Sequence, residues 1–207
     1  VFQAYKDGLK RLLLPSLKRE ALSELKEKAS SDAIILFGKN LKELLLTPPL
    51  VNQVILGMDP GYVSGCKLAV IDINGDYLAS NVIYPTKPRE DFTSSSKIVL
   101  ELIKKYKINS IAIGNGTASQ ETAAFVAKLI EENKLDVKFA IVSEIGASVY
   151  SASKIAIQEY PNLDVTIRGA ISIAQRLRDP MAALVKIDPK SLGIGQYQHD
   201  VNQKELN

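Results

Sequence analysis

The chain of 207 residues reads as an α/β protein: a mixed sheet of three antiparallel strands followed by two helix-plus-strand units, with helical segments flanking it. Three observations predict this. The apolar run Val54-Ile55-Leu56-Gly57-Met58 ends at Asp59-Pro60-Gly61 and is followed at once by an alternating run over residues 66–73. Asn74-Gly75 is a hairpin signal between that run and the next, residues 76–84, so the first three strands form a meander. Beyond them, segments with helical periodicity alternate with short apolar runs, which is the pattern of helix and strand in turn.

Taken in order, residues 1–50 place Leu9, Leu12, Leu13, Leu17, Leu22 and Leu25 at helical spacing, with Lys6, Lys10, Arg11, Lys18 and Arg19 on other faces. Two or three amphipathic helices are expected there, broken at Pro15 and closed by Thr47-Pro48-Pro49. After the meander, residues 89–106 form a helix with Phe92, Val99, Leu102, Ile103 and Tyr106 inward, leading into a strand over residues 110–114. Residues 117–133 are a helix, with Thr117 and Gln120 spaced as a capping box, and residues 137–142 are a strand. Further helices are expected over residues 146–160 and 168–177, and Asp179-Pro180 opens another. This is the element order of the ribonuclease H-like fold, in which the first and fourth strands are neighbours. The end of Ile111-Ala112-Ile113 is therefore expected beside Asp59.

With 46% hydrophobic and 24% charged residues the composition is that of a soluble globular chain. No apolar run approaches the roughly 20 residues that span a bilayer, and the first residues lack a signal-peptide pattern; no membrane association and a cytoplasmic location are expected. Cys66 is the lone cysteine, which excludes an intramolecular disulfide and suits a buried structural thiol. An opening at Val1 without methionine and a polar finish at Asn207 suggest a piece of something longer. The net charge of +3 lies wholly in residues 1–50, where nine Lys/Arg face six Asp/Glu. Contact with nucleic acid must then come from local arrangement rather than bulk charge.

Asp59 stands out because a carboxylate at the end of a central strand is held by backbone, as a metal or phosphate site requires, and Gly61 lets a backbone or phosphate approach closely. Enzymes of this fold use convergent carboxylates to hold divalent ions, Mg²⁺ or Mn²⁺. After the fourth strand the sequence instead supplies Gly114-Asn115-Gly116-Thr117. Asn115 can coordinate only through a neutral oxygen, and this glycine-flanked helix start, with Thr117, can also receive an anion. Glu121, one turn into the helix, suits the helix dipole. Glu144 is either a further acidic ligand or a helix cap, and Asp179 is either a last ligand or an N-cap. Arg168, Arg176 and Arg178 cluster as phosphate contacts or as a solvated face.

Several runs together carry a family resemblance: Gly57-Met58-Asp59-Pro60-Gly61 with Gly65-Cys66-Lys67, Ile111 through Ser119, Val142-Ser143-Glu144 with Gly146 through Ser153, Arg168 through Ala174, and Val185 through Gln203. They closely resemble the bacterial transcription accessory protein Tex family over about residues 54–203. The resemblance implies a helical segment over residues 1–53, a YqgF/RuvC-like module over 54–185 related to junction resolvases, and the start of a helix-hairpin-helix region over 186–207. It implies RNA or DNA as partner, and the transcription machinery as a further one. Asp59 matches the first catalytic aspartate of the resolvase pattern, with Glu144 and Asp179 as looser matches. The resolvase acid after the fourth strand is replaced around Asn115, so the module is expected to be catalytically degenerate and to act as a scaffold. A metal-dependent nuclease is the alternative. His199, in Gln196-Tyr197-Gln198-His199-Asp200, is expected to serve packing rather than metal binding.

Overall fold

The computed structural model describes residues 1–206. Its five strands are β1 (Ile55–Asp59), β2 (Cys66–Ile71), β3 (Tyr77–Ile83), β4 (Ser110–Gly114) and β5 (Lys138–Val142), in the order β3-β2-β1-β4-β5. β1 runs antiparallel to β2 and parallel to β4, and β5 runs parallel to β4. The ribonuclease H-like order expected from sequence is the one observed. Met58 lies opposite Ile113, and Gly114 opposite Val142, so the three parallel strands finish at one edge of the sheet.

The period of two along β1 sorts its side chains. Leu56 and Met58 join Leu68, Val70, Ile111 and Ile113 on one face, under α3 (Phe92–Tyr106) and α4 (Ser119–Asn133), where they meet Val99, Phe125, Val126 and Leu129. Ile55 turns to the other face with Ala69, Ile71 and Ala112, against Ala170, Ile171, Ile173 and Ala174 of α7 (Val165–Arg178). Fully burying each such aliphatic side chain stabilises the fold by about 1.5–3 kcal/mol. The same alternation places Gly57 and Asp59 with Ile55 on the α7 face, and Lys67 with Ala69. Asp59 and Lys67 are direct cross-strand partners.

Gly57 sets how closely α7 approaches the sheet. A Cβ there would overlap the Ala170 carbonyl oxygen and stand 2.9 Å from the Ala174 Cβ, so the helix backbone rests on the strand with no side chain between. The small residues Gly169, Ala170 and Ala174 complete this contact.

Several local expectations are corrected. Helix α4 begins at Ser119 rather than 117, because Ala118 takes a left-handed conformation and no capping box forms. The single helix expected over residues 146–160 is two, α5 (Ala147–Ser151) and α6 (Lys154–Glu159), because the Ser153 hydroxyl accepts from the Ala156 N–H and starts a new helix. Helix α7 begins at Val165, earlier than expected, since Asp164 caps it by accepting from the Thr166 N–H. The last α-helix, α8 (Pro180–Leu184), follows directly.

The chain divides into two compact units, Leu44–Leu192 and a second made of Val1–Glu43 with the residues from Gly193 onward. In the second, α1 (Phe2–Gly8) runs through a π turn, Leu9–Leu13, into α2 (Leu14–Leu45). Pro15 does not break the helix: the Leu14 N–H reaches the Leu9 carbonyl five residues back, and this wider turn absorbs the ladder bond that proline cannot make. Leu12, Leu13, Leu17, Leu22 and Leu25 are each more than half exposed, whereas Phe37 is buried against Val201 and Leu206. Residues 193–206 run as turns, and Asn40 anchors them by donating to the Ile194 carbonyl at 2.8 Å. Among the described residues no helix is long and apolar enough to cross a membrane.

The Gly57→Ala variant is expected to lose about 3 kcal/mol or more of stability, because the methyl group must push α7 off β1. A chemical-denaturation midpoint equal to that of the parent chain contradicts this account of the crossing.

Candidate functional site

Asp59 ends β1 on the α7 face, and Glu144 lies just past β5 in the loop that enters α5. Both line one cavity of about 260 Å³ together with Ser148, Ser151, Thr166 and Gly169. Two glycines admit Glu144: a Cβ on Gly114 would come within 2.8 Å of Glu144 Oε2, and one on Gly116 would overlap the carboxylate itself. Gly169 does the same for Asp59, since a Cβ there would stand 3.1 Å from Asp59 Oδ2. A glycine inside a helix costs roughly 1 kcal/mol relative to alanine, and here that cost leaves room for a carboxylate.

Burial first, and then the neighbouring Glu144 charge, push the Asp59 carboxyl up from 3.8 to about 6; Lys67 pulls the other way. Lys67 is 8% exposed, and its ammonium donates to the Ser64 hydroxyl and, at 3.0 Å, to the Gly65 carbonyl. Behind the site, the Cys66 thiol is buried and its pKa is driven up by that burial, in keeping with a structural role.

The structure brings together only part of the set read from sequence. Asn115 is exposed, and its amide oxygen accepts from the Glu144 N–H at 3.0 Å, so it braces the acid's backbone. Thr117 is exposed and caps nothing. Asp179 caps α8, accepting from the Ala182 N–H at 2.9 Å, and lines a different cavity with Asp76, Glu159 and Lys186. It follows Gly169 by ten residues, about 15 Å along a helix axis. Arg168 and Arg176 are buried, at 9% and 5% exposure. Arg176 donates to the Ile145 carbonyl at 2.8 Å, and burial lowers its pKa to about 10. Arg178 donates to the Ile73 carbonyl at 3.1 Å, at the hairpin end of the meander.

Sequence reasoning missed Lys67, Gly116, Thr166 and Gly169. The signals present were a helical glycine at 169, a glycine pair around Asn115, and a lysine where a period of two faces the core. The α7 residues that line the cavity are Val165, Thr166, Gly169 and Ile173, one helical face with no acid on it. Among the described residues no group of three or more His, Cys, Asp or Glu side chains is placed to hold a metal ion. Two carboxylates fit one divalent ion and leave the charge of a second uncompensated.

A central strand ending in a carboxylate, flanked by an antiparallel and a parallel neighbour in this order, defines a ribonuclease H-like protein. A family model described as Tex protein YqgF-like domain matches residues 53–178, and the chain belongs to that family. It is 50% identical to Protein tex of Bordetella pertussis over 94% of its own length, 46% identical to Protein YhgF of Escherichia coli over 94%, and 44% identical to human S1 RNA-binding domain-containing protein 1 over 100%. It spans 25%, 25% and 21% of those proteins. Among solved structures it is similar to RuvC of Thermus thermophilus, with 16% identity, a TM-score of 0.44, and coverage of 64% of this chain and 95% of that one.

The raised Asp59 carboxyl has a definite pH signature. Its contribution to stability is fully present below pH 3.8, where the group is protonated in both states, and is lost as pH rises through about 6. Asp59→Asn removes that loss, so the variant is expected to gain on the parent by about 1–3 kcal/mol between acid and mildly alkaline pH. Urea midpoints measured across that range for both chains check it; a difference that stays flat with pH contradicts the charged, buried environment described for Asp59.

Proposed function

We propose that this chain is the ribonuclease H-like module of a transcription accessory protein, and that it acts on nucleic acid as a catalytically degenerate scaffold. The observation that carries this reading is the pair of carboxylates, Asp59 and Glu144, in a cavity whose helical wall offers Thr166 and Gly169 instead of further acids. Activation of water between two divalent ions requires more anionic ligands than this. A relative named for an S1 RNA-binding domain supports nucleic acid, RNA or DNA, as the partner. The transcription machinery as a further partner, a cytoplasmic location and residues 186–207 as a lead-in to helix-hairpin-helix segments belong to the same reading.

The second reading is a metal-dependent nuclease or resolvase on structured nucleic acid. What favours it is the convergence of Asp59 and Glu144 on one cavity, where Mg²⁺ or Mn²⁺ would be held by these two side chains.

Incubation of labelled RNA, duplex DNA and four-way junctions with Mg²⁺ or Mn²⁺ separates the two, with Asp59→Asn run beside the parent. Binding that weakens with salt, and no cleavage, is the expected result. Cleavage that Asp59→Asn abolishes overturns the scaffold reading.

A further inference from the structure

A second, larger cavity opens on the side of the sheet away from the two acids. It measures about 590 Å³ and lies between the β1–β2 loop, the loop from β3 into α3, and α4. Pro85, Thr86 and Phe125 are buried beneath it, and Tyr62 and Phe92 stand at its sides. A space of this size, apolar at its base, is typical of a small-ligand site. Both β3 and β4 run in the direction of β1, so the segments that follow them bring this cavity to the end of the sheet where Asp59 stands. Tyr62 follows Asp59 by three residues, at most about 11 Å of chain.

Both aromatic side chains are held in place. The Tyr62 hydroxyl donates to the Glu121 carboxylate at 2.7 Å, which fixes the ring while the residue stays 39% exposed. Phe92 meets the buried Phe125 edge to face, with ring centroids 5.2 Å apart, and the Lys128 ammonium lies 4.5 Å from the Phe92 centroid. Fixed aromatic rings beside an apolar base suit a flat, conjugated ring. The rim sharpens that preference. Lys87 and Glu90 are exposed there, and none of the ion pairs among the described residues involves either of them. A carboxylate accepts from the amino group of a base, and an ammonium pairs with a phosphate. An apolar peptide side chain answers neither charge.

We propose that the cavity beside Tyr62 and Phe92 is a nucleobase pocket, which takes one unstacked base of a single-stranded nucleic acid against the Tyr62 ring. That the base belongs to a strand rests on the nucleic-acid reading above; the preference for a base rests on the cavity itself. Every base has a π-face, so the pocket anchors a strand without reading its sequence. Bases of a duplex are already stacked and paired, and the pocket therefore favours a single strand. The β1–β2 loop then stands between two parts of one ligand, with the acids on one side and the base on the other.

The test uses the 207-residue chain and its Tyr62→Ala and Ala124→Leu variants, the second of which fills the cavity from α4 and leaves Tyr62 in place. In the first arm, adenosine 5′-monophosphate is titrated into the millimolar range while the Tyr62 ring and Ala124 methyl signals are followed by NMR, with ribose 5-phosphate as the probe that lacks a base. Shifts with the nucleotide alone are expected. Signals that neither probe moves, or that both move alike, overturn the pocket. In the second arm, a short single-stranded RNA and an abasic strand of the same length are bound to all three chains. Both substitutions are expected to weaken RNA binding roughly 5- to 100-fold and to leave the abasic strand unaffected. Equal affinity of the parent chain for the two strands overturns the pocket while the nucleic-acid reading stands. Shifts with the nucleotide but no RNA binding by the parent chain uphold a base pocket for a free nucleotide and overturn the nucleic-acid reading.

Discussion

The contact of α7 with β1 at Gly57 is the constraint on which the rest of the sheet domain depends. A strand and a helix can meet this closely only where one of them has no side chain, and Gly57 against Ala170 and Ala174 meets that condition. The consequence is geometric rather than merely stabilising. Because α7 rests directly on the strand, its face Val165, Thr166, Gly169 and Ile173 becomes the wall of the cavity at the end of β1. Gly169 then lies against the Asp59 carboxylate, and one glycine-to-backbone contact sets what surrounds the acid two residues further along.

Electrostatically the site is a compromise between charges that cannot all be hydrated. Asp59 is raised by burial and by Glu144 and lowered by Lys67, its partner across the ladder. Glu144 is admitted by Gly114 and Gly116 and is braced through its own N–H by Asn115. Position 115 therefore contributes to the site indirectly: it offers no carboxylate, and it holds the backbone of an acid that comes from the next strand. The loop from Gly61 to Gly65 completes the edge with neutral oxygens and an ammonium.

Much of the architecture was legible because it is written in periods and turn residues. The Asn74-Gly75 hairpin, the apolar run into Asp59 and the two helix-plus-strand units all appear in the order expected. What failed locally failed for local physical reasons. Pro15 was read as a break, but a π turn before it removes the need for its missing bond. The stretch 146–160 has continuous helical character, yet the Ser153 hydroxyl competes for the backbone and divides it. In the site, Asp59 and Glu144 were both named from sequence and do share a cavity, whereas Asp179 caps a helix far along α7 and Arg168 and Arg176 are buried.

The sequence by itself determined the order and type of the strands, the place of Asp59 at the end of a central strand and the family to which the chain belongs, because alternation, turn chemistry and motif runs are properties of neighbours along the chain. Only the tertiary structure decided that Glu144 reaches the cavity of Asp59, that Asn115 braces it, and that Lys67 stands buried across the ladder from Asp59. Those facts depend on distances between segments tens of residues apart. Such distances are set by how closely backbones can approach, and the glycines that permit the approach reveal their purpose only when the atoms they make room for are in place.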